Sequence, residues 1–289
     1  MENKNEKNSI RIAFFGSSEF SVIILDELFK ENFVPSVIIT AQDKPQGRGL
    51  KLTPSPVKVW AMGKNIPTLE PKKLDQNFID ELKKFNCSLF IVASFGKIIP
   101  KTVIDMPEYN ILNVHPSLLP KFRGASPLES VILSDETETG VTIMLVDEEM
   151  DHGPIVAQKK SEISNWPPKI SCLEKKLAED GGKLLVEVLP KWIDRSIEPK
   201  NQIHELATYT KKIKKEDGLI SLSDNPYINF KKIMALEGWP GTYFITKKKD
   251  KDIRVQIKEA EFKNNSLIIK RVTPEGKKEM NYEDFLRGL

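Results

Sequence analysis

Apolar runs closed by turn residues recur along the first two thirds of the chain. Arg11-Ile-Ala-Phe-Phe-Gly16 is one such run, and Ser17-Ser18-Glu19 then opens an amphipathic stretch that reaches Lys30. The pattern predicts a strand, a tight turn and a serine-capped helix. Val34 to Thr40 supplies a second apolar run, giving the βαβ opening of a parallel sheet. Helices are predicted over Val57 to Lys64 and Leu74 to Phe85. Cys87 to Ser94 is nearly all apolar, as a strand covered on both faces should be. Ser126 to Ser134 reads as a short helix with Pro127 in its first turn, and Val141 to Val146 and Pro154 to Ile163 as strands at the sheet edge. Leu173, Leu177, Leu184 and Val188 form one helical stripe, which predicts a helix from Ile170 to Leu189, ended by Pro190 and packed on the sheet. Gly181-Gly182 inside it costs about 1 kcal/mol per residue relative to alanine and implies close packing or a break.

Residues 196–207 have linker composition and divide a domain at 10–195 from one at 208–289. In the second, Leu219 to Leu222, a helix over Ile228 to Leu236, and strands at Thr242 to Thr246, Ile253 to Phe262 and Ser266 to Val272 fit a small β-barrel of the OB type. The predicted fold class is therefore α/β, a Rossmann-like, mostly parallel sheet followed by an OB-like barrel. A dinucleotide site at the first turn is rejected, because Gly16-Ser-Ser-Glu-Phe-Ser has one glycine where the fingerprint needs three.

Candidate chemistry concentrates between Asn113 and Asp151. Asn113 and His115 alternate with Leu112 and Val114, so on a strand both polar side chains project from one face. If the strand from Val141 lies alongside, the loop after it can bring Asp151 to them. An amide to bind an oxyanion, an imidazole to carry protons and a carboxylate to orient it suit acyl transfer to an amine. The plainer alternative is a structural histidine and an aspartate capping a bend. His152, the next residue in that turn, is read as non-catalytic.

Gln42 to Pro56 is a long polar loop with three cations, Lys44, Arg48 and Lys51. Arg48 stands between two glycines, on backbone that can approach a phosphate closely; a solvated lid is the alternative. Charge sharpens this little: the net value is +3, with 39% hydrophobic and 29% charged residues, ordinary for a soluble protein. Its distribution says more. From Asn201 onward 18 Lys and Arg face 13 Asp and Glu, whereas the first 200 residues hold 26 against 28. The basic excess in the C-terminal third suits a polyanion or a solubilising surface. No apolar run reaches the ~18 residues of a membrane span. Residues 1–9 read as a disordered tail without a targeting signal, which predicts a cytoplasmic protein. Cys87 and Cys172, each among apolar neighbours, are expected to be buried free thiols, and the three histidines lack metal-ligand spacing, so no metal is expected.

Asn113-x-His115 with Ser117-Leu118-Leu119-Pro120, Arg123-Gly124-x-x-Pro127, Glu138-Thr-Gly-Val-Thr-Ile-Met144 and Met150-Asp151-x-Gly153 resembles the folate-dependent formyltransferases, most nearly the branch acting on methionyl-tRNA. The resemblance runs from Arg11 to about Arg287 and includes Gly238-Trp239-Pro240-Gly241. It implies that Asn113, His115 and Asp151 are catalytic, and that the co-substrate is 10-formyltetrahydrofolate, leaving as tetrahydrofolate. By the same resemblance, Ser117, Leu118, Leu119 and Pro120 contact that co-substrate, and the turn carrying Phe95, Gly96 and Ile98 walls its pterin pocket. Arg48, with Lys44 and Lys51 in the same loop, is implied to enter the acceptor arm of initiator methionyl-tRNA, and the 208–289 domain to bind tRNA. Family habit implies a monomer. The alternatives are a sugar-nucleotide N-formyltransferase, which shares the catalytic block, and a non-catalytic RNA-binding module.

Overall fold

The structure is a computed structural model that describes residues 10–46, 51–248 and 251–289. The chain divides into two compact units. One comprises residues up to Arg123, Gly140–Ser161 and Lys175–Thr208; the other comprises Gly124–Thr139, Glu162–Glu174 and Tyr209–Leu289.

The first unit is built on a seven-stranded sheet. Its strands are β1 (Ile12–Gly16), β2 (Val37–Ile39), β5 (Thr68–Leu69), β6 (Leu89–Ala93), β7 (Ile111–His115), β9 (Thr139–Leu145) and β10 (Ile155–Ser161), in the order β10-β9-β7-β6-β1-β2-β5. The chain also forms a hairpin, β3 (Lys44–Gln46) and β4 (Lys51–Thr53), and two two-residue strands, β8 (Arg123–Gly124) and β11 (Tyr209–Thr210). β5, β2, β1, β6 and β7 pair in parallel and β9 runs antiparallel to β7, so the Rossmann-like, mostly parallel sheet is as expected. β1 and β6 are wholly buried, which is why both read as continuous apolar runs rather than alternating ones.

Two layers cover the sheet. On one face Phe15, Val37, Ile39, Phe90, Val92 and Ile111 pack with Phe78, Ile79 and Leu82 of α3 (Gln76–Lys83) and Val103 of α4 (Lys101–Ile104). α1 (Glu19–Lys30) and α6 (Ile170–Ile193) meet closely elsewhere: a Cβ on Gly182 would lie 2.8 Å from Glu27 Cβ, and one on Gly181 2.7 Å from Val114 Cγ1. The paired glycines thus mark close packing, with no break in the helix. Because Val114 faces α6, strand alternation turns Asn113 and His115 to the opposite face.

Three sequence expectations are corrected. Pro190 does not end α6, which continues to Ile193. Proline removes one helical hydrogen bond, but the last turn is anchored by Trp192, whose indole is mostly buried and donates to the Tyr109 carbonyl at 2.8 Å. Cys172 is exposed and Cys87 half-buried. The apolar neighbour Leu173 is a rotation of about 100° away on the inner face of the helix, and burial raises the Cys87 thiol to about 11. The polar stretch from Gln42 contains paired strands, β3 and β4, with Lys44 opposite Thr53 and Gln46 opposite Lys51. Its base is held by Lys58 of α2 (Pro56–Gly63), paired with Asp43 at 2.8 Å and Glu70 at 3.0 Å.

The second unit carries a four-stranded antiparallel sheet, β12 (Tyr243–Lys248), β13 (Lys251–Lys263), β14 (Ser266–Pro274) and β15 (Met280–Asn281), in sequential order. A single parallel bridge adds Leu219 beside Tyr243. Ile220, Phe244, Val255, Ile257, Val272 and Phe285 form its core. α5 (Pro127–Leu133) and α7 (Pro226–Ala235) pack together in this unit, where Asp135 accepts from Trp166 Nε1 at 2.6 Å and Tyr227 Oη at 2.9 Å. The terminal helix α8 (Tyr282–Arg287) gave no signal in the sequence reading.

Gly181→Ala tests the packing beneath β7. Alanine has the better helix propensity, yet the added methyl meets Val114, so the variant is expected to lose about 1–3 kcal/mol, as overpacked cores do. Urea denaturation should show a lower midpoint at unchanged slope.

Candidate active site

Asn113 and His115 lie on β7 in the register Asn113–Met144 and His115–Thr142 with β9, and Val92 of β6 flanks Asn113 on the other side. Since β9 runs back along β7, its end at Leu145 lies opposite Leu112, away from His115. The following loop must double back to reach the imidazole, and it does: Asp151 Oδ1 lies 3.6 Å from His115 Nδ1. The loop ends are clamped, with Leu145 N donating to the Pro154 carbonyl at 2.9 Å. Gly153 permits this, because a Cβ there would lie 2.0 Å from the Leu145 carbonyl oxygen.

His115 is only 4% exposed. Its Nε2 lies 3.1 Å from the Phe122 carbonyl oxygen. A carbonyl can only accept, so Nε2 carries the hydrogen in this contact, and the exchangeable proton position is Nδ1, facing Asp151. Asn113, half-buried, stands two residues earlier on the same face of β7. Asp151 and Phe122 both have positive φ, 52° and 62°, as does Ser94 (50°) at the end of β6. Left-handed backbone at non-glycine residues is uncommon and clusters at functional sites. Phe122 is held in it by its own N–H, which donates to Thr208 Oγ1 at 2.8 Å.

The loop after β7 is pinned from beneath by Thr142. Its hydroxyl donates to the Ser117 carbonyl at 2.6 Å and accepts from Leu119 N at 3.2 Å and Gln158 Nε2 at 2.9 Å. Gln158 Nε2 also donates to the Leu119 carbonyl at 2.8 Å. Ser117 is fully buried with its hydroxyl donating to the Lys121 carbonyl at 2.7 Å, and Leu119 is buried as well. Leu118 and Pro120 are the half-buried members of this run.

Phe95 is also buried, edge-on to Phe15 at 5.3 Å, whereas Ile98 is 81% exposed and Gly96 takes φ 73°. Lys97 between them donates to the carbonyls of Pro71 and Lys72. Burial, and then the neighbouring Lys44 cation, hold its ammonium below the ordinary lysine value. Lys44 and Lys51 are both exposed, and Arg48 lies outside the described residues.

Sequence reasoning missed Thr142, Gln158, Lys97 and the Phe122 carbonyl. A threonine in an apolar strand gave a faint signal; a backbone carbonyl gives none. It also missed Gln202, and it read Arg123 only as part of a motif that positions the co-substrate loop. Arg123 is 1% exposed, and its Nε and Nη2 donate to Gln202 Oε1 at 3.1 and 2.7 Å. Gln202 falls in the stretch with linker composition.

Sheet, loops and polar cluster together are those of a formyl-group transferase class: the formyl transferase family model matches residues 10–189, more than half of the chain. Methionyl-tRNA formyltransferase of Sulfurihydrogenibium sp. (strain YO3AOP1) is 39% identical over 248 residues, 85% of this chain and 79% of that protein. The Bacillus licheniformis methionyl-tRNA formyltransferase is 33% identical over 300 residues, covering 96% and 95%. The chain belongs to the formyl transferase family, among the methionyl-tRNA formyltransferases. The solved methionyl-tRNA formyltransferase from Clostridium thermocellum, 18% identical, shares the fold with a TM-score of 0.62 over 92% of this chain and 98% of that one.

Thr142→Val keeps the shape of the buried hub but leaves the Ser117 carbonyl and the Leu119 N–H without their partner. A loss of about 1–3 kcal/mol is expected from the unmet backbone groups, measurable by chemical denaturation.

Proposed function

We propose that the protein transfers the formyl group of 10-formyltetrahydrofolate to the amine of methionine esterified to initiator tRNA. The observation that carries this reading is the buried His115 ring held between the Phe122 carbonyl and Asp151, with Asn113 on the same face of β7. Likeness to the methionyl-tRNA formyltransferases supports the acceptor in this reading.

The substrate amine attacks the formyl carbon, forming a C–N bond and a tetrahedral centre with an oxyanion. Asn113 donates a hydrogen bond to that oxyanion. The His115 Nδ1–Asp151 pair takes the proton lost by the amine and returns one to N10 as the old C–N bond breaks. The Phe122 carbonyl holds Nε2–H throughout, so the ring does not rotate while Nδ1 exchanges its proton. No covalent enzyme intermediate is needed, and electrons balance within the two substrates.

In this reading residues 10–195 form the catalytic domain, 196–207 the connection and 208–289 a tRNA-binding domain. Exposed Ile98 and half-buried Leu118 and Pro120 supply apolar surface for the pterin. Phe95, Gly96, Ser117 and Leu119 shape that wall through backbone and packing. Lys44, Lys51 and Arg48 neutralise phosphates of the acceptor arm. All three catalytic groups come from one chain, so a monomer suffices, and such a reaction belongs in the cytoplasm with initiator tRNA.

Asn113→Ala and His115→Ala are each expected to lower turnover about 10²-fold or more with folding intact, measured as formyl transfer from 10-formyltetrahydrofolate to charged initiator tRNA. Near-normal turnover in either variant removes that residue from the mechanism. Formylation of an amino-sugar nucleotide in place of the tRNA would overturn the substrate assignment.

Arg48→Ala and Lys44→Ala should weaken use of tRNA while leaving that of the folate unchanged, and each should flatten the salt dependence, since each phosphate contact contributes nearly one unit of log–log slope. An unaltered slope in both would take the hairpin out of tRNA recognition.

A further inference from the structure

Gln202 is 4% exposed, and its side-chain hydrogen bonds run to Arg123 on one side and to the backbone of the Asp151 turn on the other. Its Nε2 donates to the backbone carbonyls of Asp151 at 2.9 Å and Gly153 at 2.8 Å. Its Oε1 accepts from Arg123 Nε at 3.1 Å and Nη2 at 2.7 Å. We infer that Gln202, oriented by the buried Arg123 guanidinium, is a positioning residue that sets Asp151 against His115. The inference rests on the reading of His115 and Asp151 as the proton-transfer pair.

A carboxamide can bind either way round, and what decides its direction is its surroundings. The Arg123 guanidinium has donors only, so it accepts no approach from the amide NH2 and must face Oε1. That leaves both amide hydrogens for the two carbonyls, which are acceptors only. Arg123 therefore fixes which end of Gln202 meets the turn. The two carbonyls bracket Asp151-His152-Gly153, the stretch in which Asp151 adopts φ 52°. Holding the backbone on both sides of His152 fixes where the Asp151 carboxylate points. At 3.6 Å from Nδ1 that carboxylate is near the outer limit of a useful contact, so a small drift of the turn uncouples the pair.

The same cluster continues outward. Arg123 Nη2 lies 2.8 Å from His204 Nδ1, His204 stacks on His152 with centroids 4.2 Å apart and planes 7° from parallel, and His152 Nδ1 lies 2.7 Å from Asp147 Oδ2. Besides Asp151, the ionisable groups of this cluster are thus Arg123, Asp147, His152 and His204, with Lys121, Glu148, Glu149 and Glu205 in the same loops, and Gln202→Glu leaves all of them in place.

Gln202→Glu keeps acceptors for Arg123, now as an ion pair, but replaces the two donors with oxygen facing two carbonyls. In the full-length protein, kcat for formyl transfer should fall about 10- to 100-fold, the size found when groups behind a functional ligand are removed. KM for both substrates should stay within about 2-fold. In an Asp151→Asn background the same substitution should cost less than about 3-fold, because the pair it positions is already broken. A wild-type kcat, a loss carried in KM, or a full additive loss on Asp151→Asn overturns the positioning role. If Gln202→Glu does not fold, Arg123→Lys keeps the buried cation without the fork and should show the same signature at smaller size; an unchanged kcat there overturns it equally. Imidazole ¹⁵N titration of His115 separates the two layers of the claim. Should the wild-type protein transfer no formyl group, the reaction assignment fails, while a displaced His115 titration in Gln202→Glu still upholds the positioning and an unchanged one rejects it.

Discussion

A buried imidazole has two nitrogens that need partners, and His115 sets that demand where the sheet changes from parallel to antiparallel pairing. Each unmet buried polar group costs on the order of 1–3 kcal/mol, so two loops must come to the ring. One brings the Phe122 carbonyl and the other the Asp151 carboxylate. Neither can do so with ordinary backbone: both residues sit at positive φ, a conformation that costs an L-residue about 1–2 kcal/mol. The strain persists because other groups fix it. Thr208 holds the Phe122 N–H, and Gln202 holds the Asp151 carbonyl.

These outer partners come from residues 202–208, a segment without regular sheet or long-helix structure. Most of its side chains are exposed, Ile203 and Leu206 included, yet Gln202 is buried and Lys200, two residues before it, bridges to Ile155 of β10. A connector that also closes an active site has little freedom to change length, since its anchors are hydrogen bonds to fixed backbone groups of the site loops. Its function therefore lies in side-chain-to-backbone contacts, which leave no periodic trace.

The parts of the fold legible in the sequence are those governed by periodicity. β1, β6 and β7 were readable as apolar or alternating runs, and the alternation around Val114 placed Asn113 and His115 on one face, as Gly181 packing against Val114 bears out. The antiparallel neighbour β9 was readable as a strand, but its direction was not, and with it the need for the Asp151 loop to double back. Pro190 illustrates the limit from the other side: a local rule ended the helix, and the burial of Trp192, a tertiary term, carried it on. Ser117 and Leu119 were legible as part of a motif, but not that their side chains turn inward while Thr142 holds their backbone.

Stability and chemistry are thereby assigned to different bonds. The sheet core, with Phe15 packed against Phe78, Phe90 and Phe95, is held by non-directional burial, each such side chain contributing roughly 1.5–3 kcal/mol. The site loops are held by single directional bonds from Thr142, Gln158, Gln202 and Thr208 to backbone groups. Burial tolerates small displacements; a 2.6–2.9 Å hydrogen bond to a carbonyl does not. Geometry at His115 is set by the second kind of bond and supported by the first. Residues that aim the catalytic groups can therefore lie far along the chain from the motif that announces them.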